Sequence, residues 1–247
     1  MAFKGKEMEI AIACDRRLYD YAKVLINNLI KTQPNLRRLY VVIEDNKIPN
    51  YTAPSVVKYY NINNYPDFLA AMKKIPQMTE LGPLACVRCY FPDILPCDKV
   101  IYLDIDIIVY KSLDSMWNLD ISDYYLAGVE DLNIRHPSNM QNYLAGLNYG
   151  DYINSGVLLM NLKKMREDNI TKKITLLFSS LKMKFLDQDA LNLICAKKIY
   201  YLNSSYNTSC LSGNVTDPII FHGAGTPELK PWHENCKRYN DWLKNKE

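Results

Sequence analysis

Between Lys99 and Tyr110 the chain reads Val100-Ile101-Tyr102-Leu103-Asp104-Ile105-Asp106-Ile107-Ile108-Val109, an apolar stretch broken only by two aspartates. A strand of that composition has no polar face to offer water, so it belongs in a sheet covered on both sides. Layered α/β architectures supply such cover. The aspartates add a chemical constraint. In extended backbone, residues two apart project to the same side, and two anions inside an apolar strand are costly to bury unless a cation neutralises them. Hard divalent ions such as Mn²⁺ or Mg²⁺ match carboxylate oxygens and bridge to phosphate. For a bare Asp-x-Asp, two strand-end residues capping a turn would be the plainer explanation; the apolar flanks favour the metal.

The rest of the chain alternates strand and helix patterns. Glu9–Cys14 reads as a first strand, followed by a helix over Asp20–Lys31 with Tyr21, Val24, Leu25 and Leu29 at helical spacing. Leu39–Glu44 and Val56–Ile62 are strands closed by Asn- or Pro-bearing turns. A helix is expected over Thr79–Leu95, capped by Thr79 with Pro83 in its first turn. Strands follow at Tyr124–Val129 and Gly156–Asn161, then helices at Lys163–Lys182 and Asp187–Lys197. Ile199–Leu202 and Pro218–His222 are the last strands, and Trp232–Lys246 is a closing helix. The pattern predicts an α/β fold with a mostly parallel mixed central sheet flanked by helices. With no linker, repeat or low-complexity segment, 247 residues read as one domain, 1–247.

Composition narrows the function. Thirty basic residues against 27 acidic leave a net charge of +3, too little for a nucleic-acid footprint. No apolar run approaches the roughly 18 residues needed for a membrane span, and the charged N-terminus lacks a signal-peptide core. Seven cysteines, an odd number spread along the chain, predict reduced thiols rather than a disulfide framework. A cytoplasmic protein is expected, so the five Asn-x-Ser/Thr sequons at Asn50, Asn169, Asn203, Asn207 and Asn214 read as chance. The 19 tyrosines suit a sugar-handling surface, but amphipathic packing accounts for them more simply.

Three further features carry chemistry. His222 ends the Ile219-Ile220-Phe221 run before Gly223-Ala224-Gly225, a setting suited to a third metal ligand. Lys230 follows, and a glycine loop with a lysine can hold a diphosphate through backbone N–H groups and a point charge. Asp187-Gln188-Asp189 opens a helix, where acids by themselves only stabilise the N-terminus. Cys86-x-x-Cys89 lacks a second pair at zinc spacing and reads as core packing.

Four stretches, in order, resemble glycosyltransferase family 8. They are Cys97-Asp98-Lys99-Val-Ile-Tyr-Leu-Asp-Ile-Asp-Ile-Ile-Val, Tyr152-Ile-Asn-Ser-Gly-Val-Leu-Leu-Met-Asn-Leu-Lys-Lys, Asp187-Gln188-Asp189-Ala-Leu-Asn192, and His222-Gly-x-Gly followed by Lys230-Pro-Trp-His233. The resemblance implies a GT-A-like nucleotide-diphosphosugar transferase domain with a nucleotide-binding half near 1–110, a sugar and acceptor half near 111–235, and a short C-terminal helix over 232–246. It implies transfer of glucose or galactose from a UDP-sugar, with retention, to a saccharide, glycolipid or protein acceptor; it also admits a homo-oligomer. Asp104, Asp106 and His222 would hold Mn²⁺, with Mg²⁺ as the alternative. Lys230 and Gly225 would contact the diphosphate, Asp15 with Ala13 the uracil–ribose side, and Ile105, between the two aspartates, would be among the donor-binding residues. Arg88, Asp131, Asn154, Ser155, Asp187 and Gln188 match positions around the donor sugar and phosphates, with Gln188, Asp187 and Asp131 as the catalytic set.

Two other classes compete. Haloacid-dehalogenase-like phosphatases also end an apolar strand in Asp-x-Asp, but near the N-terminus and with Thr or Val where this chain has Ile108. A non-catalytic sugar-nucleotide-binding protein would not need Asp104, Asp106, His222 and Lys230 together.

Overall fold

The computed structural model describes residues 7–44, 54–75, 82–131, 152–181, 183–209 and 216–246. Its strands are β1 (Met8–Cys14), β2 (Leu36–Ile43), β3 (Val57–Asn61), β4 (Lys99–Leu103), β5 (Ile107–Val109), β6 (Leu126–Glu130), β7 (Ile153–Asn161), β8 (Ile199–Tyr201) and β9 (Ile220–His222). The helices are α1 (Tyr19–Thr32), α2 (Pro66–Met72), α3 (Phe91–Ile94), α4 (Asp114–Trp117), α5 (Leu162–Glu167), α6 (Ile170–Ser180), α7 (Leu186–Cys195) and α8 (Tyr239–Leu243). Seven strands form one sheet in the order β3-β2-β1-β4-β7-β6-β8. β7 runs antiparallel to β4 and β6, and the remaining pairings are parallel. The expected mostly parallel mixed sheet is what forms.

Period-two alternation sorts the sheet's side chains between two cores. Ala11, Tyr40, Val42, Tyr102 and Leu158 pack on one face with α2, α6 and α7. Ile10, Ile12, Leu39, Val41, Ile101, Leu103, Val157 and Leu159 pack on the other with α1 and α4. Cys86 and Cys89 are buried in the first core, and among the described residues no two cysteines form a disulfide.

Several elements depart from the sequence pattern. The Lys99–Tyr110 run is two strands in two sheets: β4 belongs to the seven-stranded sheet, whereas β5 pairs with β9. Asp104 and Asp106 therefore lie in the turn between them, not on one extended face. The helix expected over Lys163–Lys182 is split into α5 and α6 at Asn169, which takes the left-handed backbone (φ 55°) that Asn tolerates better than most residues. In place of the helix over Thr79–Leu95 there is a 3-10 run, Pro83–Tyr90, continued by α3; Thr79 lies outside the described residues. The closing helix over Trp232–Lys246 is confined to α8.

The small β5–β9 sheet is fastened by side-chain amides from α1 and its C-cap. Asn28 donates to the Val109 carbonyl (3.0 Å) and accepts from the Val109 N–H (2.7 Å), replacing a neighbouring strand. Gln33 does the same one step on, donating to the Lys111 carbonyl and accepting from Leu113 N–H. Asn28→Leu leaves both buried Val109 backbone groups unpaired, at about 1–3 kcal/mol each. Urea unfolding should show a loss of that order, and an unchanged midpoint would contradict the strand-substitute role.

Candidate active site

The site forms at the C-terminal edge of β1 and β4, where open α/β sheets place their ligands. Asp104 N–H donates to the Gly156 carbonyl (2.8 Å), extending the β4–β7 ladder by one residue before the chain turns into β5. The β5–β9 register sets Ile107 opposite His222, and Gly223 N–H donates to the Asp106 carbonyl (2.8 Å). Asp106 is thereby brought beside the imidazole. His222 Nε2 lies 3.3 Å from Asp106 Oδ1 and 3.6 Å from Asp104 Oδ2. One ligand atom from each of the three residues falls within 4.8 Å of the others, a spacing a single divalent ion can bridge. Two carboxylates and an imidazole suit Mn²⁺ or a similar ion.

Charge around this cluster is balanced by two cations. Lys230 Nζ is 2.6 Å from Asp106 Oδ2. Burial works against ionisation of Asp106, but His222 and Lys230 outweigh it and hold the carboxyl well below the usual range. Burial likewise opposes the His222 charge, and the carboxylates of Asp106 and Asp104 nevertheless raise its pKa above 6.5. On the other side Arg88, from the 3-10 run, reaches Asp104 Oδ1 and Asp187 Oδ2, each at 3.0 Å. It also donates to the Ser155 carbonyl (2.6 Å), and its guanidinium lies over the Tyr102 ring, 4.3 Å from the centroid. Tyr102 donates to Asp104 Oδ1 at 2.5 Å.

Two glycines make the geometry feasible. A Cβ on Gly156 would stand 2.2 Å from His222 Cε1 and 2.8 Å from Asp104 Oδ2. A Cβ on Gly223 would meet the Leu229 carbonyl and Pro231, each at 2.7 Å, so its absence lets the Lys230 segment fold back. Gly225 sits in that loop with φ 112°, a region closed to most side chains.

The second part of the site is built by β7 and the start of α7. Gln188 accepts from Ser155 N–H (2.9 Å) and Asn154 Nδ2 (3.2 Å), and donates to Asp131 Oδ2 (3.0 Å). Asp187 is pushed up to about 6 by burial and the nearby Asp104, against the pull of Arg88. The N-terminal capping expected of the acidic pair falls to Asp189, which accepts from Phe185 N–H (2.7 Å) and Tyr152 OH (2.6 Å). Asp187 is left facing Arg88 and Ser155. Leu186, at φ 33°, carries backbone strain at this entry. A cavity of about 260 Å³ opens here, lined by Ala85, Ser155, Lys184, Phe185, Asp187 and Gln188.

The structure thus brings together Asp104, Asp106, His222 and Lys230, and next to them Arg88, Ser155, Asp187, Gln188, Asn154 and Asp131. Ala13 and Asp15 lie at the end of β1; Asp15 caps the Leu18 N–H (3.0 Å) and holds Arg17 (2.6 Å). Ile105 occupies the turn between the aspartates. Sequence reasoning gave no role to Asn207, whose Oδ1 faces His222 Nδ1 at 2.9 Å, and quoted Asn192 only as part of the family stretch, whereas it pairs with both backbone groups of Ile153. Asn207, set among Ser204, Ser205, Thr208 and Ser209, gives no signal that it is buried. Among the described residues no helix is long and apolar enough to cross a membrane.

Known proteins share this arrangement of elements. The galactosyltransferase LgtC, solved in complex with donor and acceptor sugar analogs, matches with a TM-score of 0.79 at 25% identity, covering 97% of this chain and 95% of that one. The fold is therefore that of GT-A glycosyltransferases. A lipopolysaccharide 1,2-glucosyltransferase of Escherichia coli is 30% identical over 73% of this chain and 57% of its own length. General stress protein A of Bacillus subtilis is 32% identical over 67% of this chain and 65% of its own. The chain thus spans somewhat under two thirds of these two relatives. The family model "Glycosyl transferase family 8" matches residues 9–236, nearly the whole sequence, which leaves no place for a phosphatase of the haloacid dehalogenase type. The chain belongs to glycosyltransferase family 8.

Proposed function

We propose that this glycosyltransferase moves glucose or galactose from a UDP-sugar to a saccharide, glycolipid or protein acceptor, with retention of anomeric configuration and with Mn²⁺, or alternatively Mg²⁺, held by Asp104, Asp106 and His222. The observation that carries the reading is the convergence of those three ligand atoms beside Lys230 and next to the Gln188 cavity. The metal, when bound, supplies Lewis-acid stabilisation of the departing diphosphate. Lys230 would add a second positive charge for the departing diphosphate, with Gly225 allowing close backbone approach. Ala13 and Asp15, at the edge of β1, face the nucleoside. Arg88 fixes Asp187 and Asp104 between the two halves of the site, and Asp187, Ser155, Asn154 and Asp131 receive the sugar hydroxyls.

The bond from C1 of the sugar to the diphosphate breaks as the acceptor oxygen bonds to C1 on the same face. The acceptor's proton passes to the departing phosphate oxygen. Gln188 favours this front-face course over a covalent intermediate. Its carboxamide is a weak nucleophile, and both of its ends are already engaged by Ser155, Asn154 and Asp131. It is suited to positioning and polarising the oxocarbenium-like sugar. We read the chain as one catalytic domain, with its nucleotide half near 1–110 and its sugar and acceptor half near 111–235, acting in the cytoplasm and open to self-association.

UDP release from a panel of UDP-sugars tests the reading. Asp104→Ala and Asp106→Ala should each keep the fold and lose about a hundredfold or more of the Mn²⁺-dependent turnover, as removal of several kcal/mol of charge stabilisation requires. Normal turnover by either variant would refute the metal assignment. Gly156→Ala should fold and yet bind Mn²⁺ poorly, since its Cβ displaces His222 or Asp104; wild-type Mn²⁺ affinity would show that the cluster is not the metal site. Gln188→Ala should transfer slowly with unchanged product configuration, whereas total loss together with a hexosyl adduct on the wild-type protein would establish the covalent route.

A further inference from the structure

We infer that Asn207 is a positioning residue that ties the metal-binding imidazole to the sugar-binding glutamine through a chain of amides whose polarity the β7 backbone dictates. This rests on the reading of Asp104, Asp106 and His222 as metal ligands. The chain starts at Gly156 N–H, which donates to Asn154 Oδ1 (3.0 Å). With its oxygen so fixed, Asn154 turns Nδ2 toward Asp131 Oδ2 (3.1 Å) and Gln188 Oε1 (3.2 Å). Ser155 N–H holds that same Gln188 oxygen (2.9 Å), which sends Gln188 Nε2 to Asp131 (3.0 Å). In the other direction Asn154 Oδ1 takes a second bond, from Asn207 Nδ2 (2.9 Å). Asn207 is left to present Oδ1 to His222 Nδ1 (2.9 Å).

An amide oxygen only accepts, so in the neutral imidazole Nδ1 carries the hydrogen. Nε2, the nitrogen facing Asp104 and Asp106, keeps its lone pair for a cation. Flipping either asparagine would set oxygen against oxygen or N–H against N–H. Two backbone N–H groups of β7 thus select the ligand tautomer of His222 and the orientation of Gln188 together.

Asn207 is well placed for this role. It is buried at the end of the 3-10 turn Ser204–Asn207. Its segment is laced to β9 and the residue before it by Ile219 N–H to Ser205 O (2.9 Å), Thr208 N–H to Ile220 O (3.0 Å) and His222 N–H to Thr208 O (2.8 Å). Leucine at 207 can neither donate nor accept. Aspartate can accept from Nδ1–H but cannot donate to Asn154. The two substitutions therefore separate the metal side from the sugar side.

The test measures Mn²⁺ binding to the full chain, from the electron paramagnetic resonance signal of free Mn²⁺, alongside thermal unfolding and steady-state transfer. Asn207→Leu should weaken Mn²⁺ binding about ten- to a hundredfold, as loss of an outer-shell partner does. Asn207→Asp should bind Mn²⁺ at least as tightly as the wild type and lose kcat for transfer. Wild-type Mn²⁺ affinity in a folded Asn207→Leu overturns the inference. If that variant does not fold, Asn207→Asp decides, and wild-type kcat would overturn it. Failure of the wild type itself to bind Mn²⁺ or Mg²⁺ would instead remove the metal reading on which the inference stands.

Discussion

Two carboxylates meeting beneath a buried imidazole set the terms for everything around them. Asp104 and Asp106 repel each other, and the folding energy available to hold them together is small compared with the cost of burying an unpaired charge. Cations meet each one from opposite sides, Arg88 at Asp104 and Lys230 at Asp106. These partners come from distant parts of the sequence. The pair thus requires the 3-10 run, the β4–β5 turn and the loop after β9 to arrive at one point.

The change of sheet between β4 and β5 is the structural answer to that requirement. Had the run continued as one strand, both aspartates would have faced one side of the seven-stranded sheet, and His222 would have had no edge from which to reach them. The turn releases Ile107–Val109 to pair with β9, and the register of that pairing brings His222 to Asp106. The cost is a three-residue strand with one strand partner. Asn28 of α1 supplies the missing hydrogen bonds at Val109, and Gln33, the helix C-cap, secures Lys111 and Leu113 just beyond the strand, so α1 and its end support the strand on which the site's register depends.

The sequence revealed what composition and period encode. The alternating elements, the parallel sheet, the apolar Asp-x-Asp run and the strand ending in His222 are visible because apolar periodicity and strand termini leave local marks. The split of Lys163–Lys182 left only a faint mark: the apolar residues jump by five, from Met165 to Ile170, across the Asp168-Asn169 pair, and it is the left-handed backbone at Asn169 that turns that jump into a break. Gly156 read as one more small residue in a strand; its necessity depends on His222, far along the chain. Residue type alone did not separate Asp189 from Asp187; only the family resemblance singled out Asp187. Tyr152 and Phe185 N–H claim one for the cap, and Arg88 claims the other for the site.

Asparagine and glutamine recur at several points where this fold joins two polar groups without adding charge. Asn28 and Gln33 satisfy β5 and its continuation, Asn192 the first residue of β7, and Asn154 and Asn207 connect the two halves of the site. An amide serves because one side chain both donates and accepts, with a fixed direction that neighbouring backbone groups can set. A carboxylate in the same place would accept only, and near Asp104 and Asp106 it would add to the repulsion that Arg88 and Lys230 already balance. A hydroxyl adds no charge, but its rotating hydrogen transmits no fixed polarity. Asn207 shows the limit of reading such residues locally. It begins an Asn-Thr-Ser sequon that looks like an exposed accident, yet its nitrogen is committed to Asn154 and its oxygen to His222.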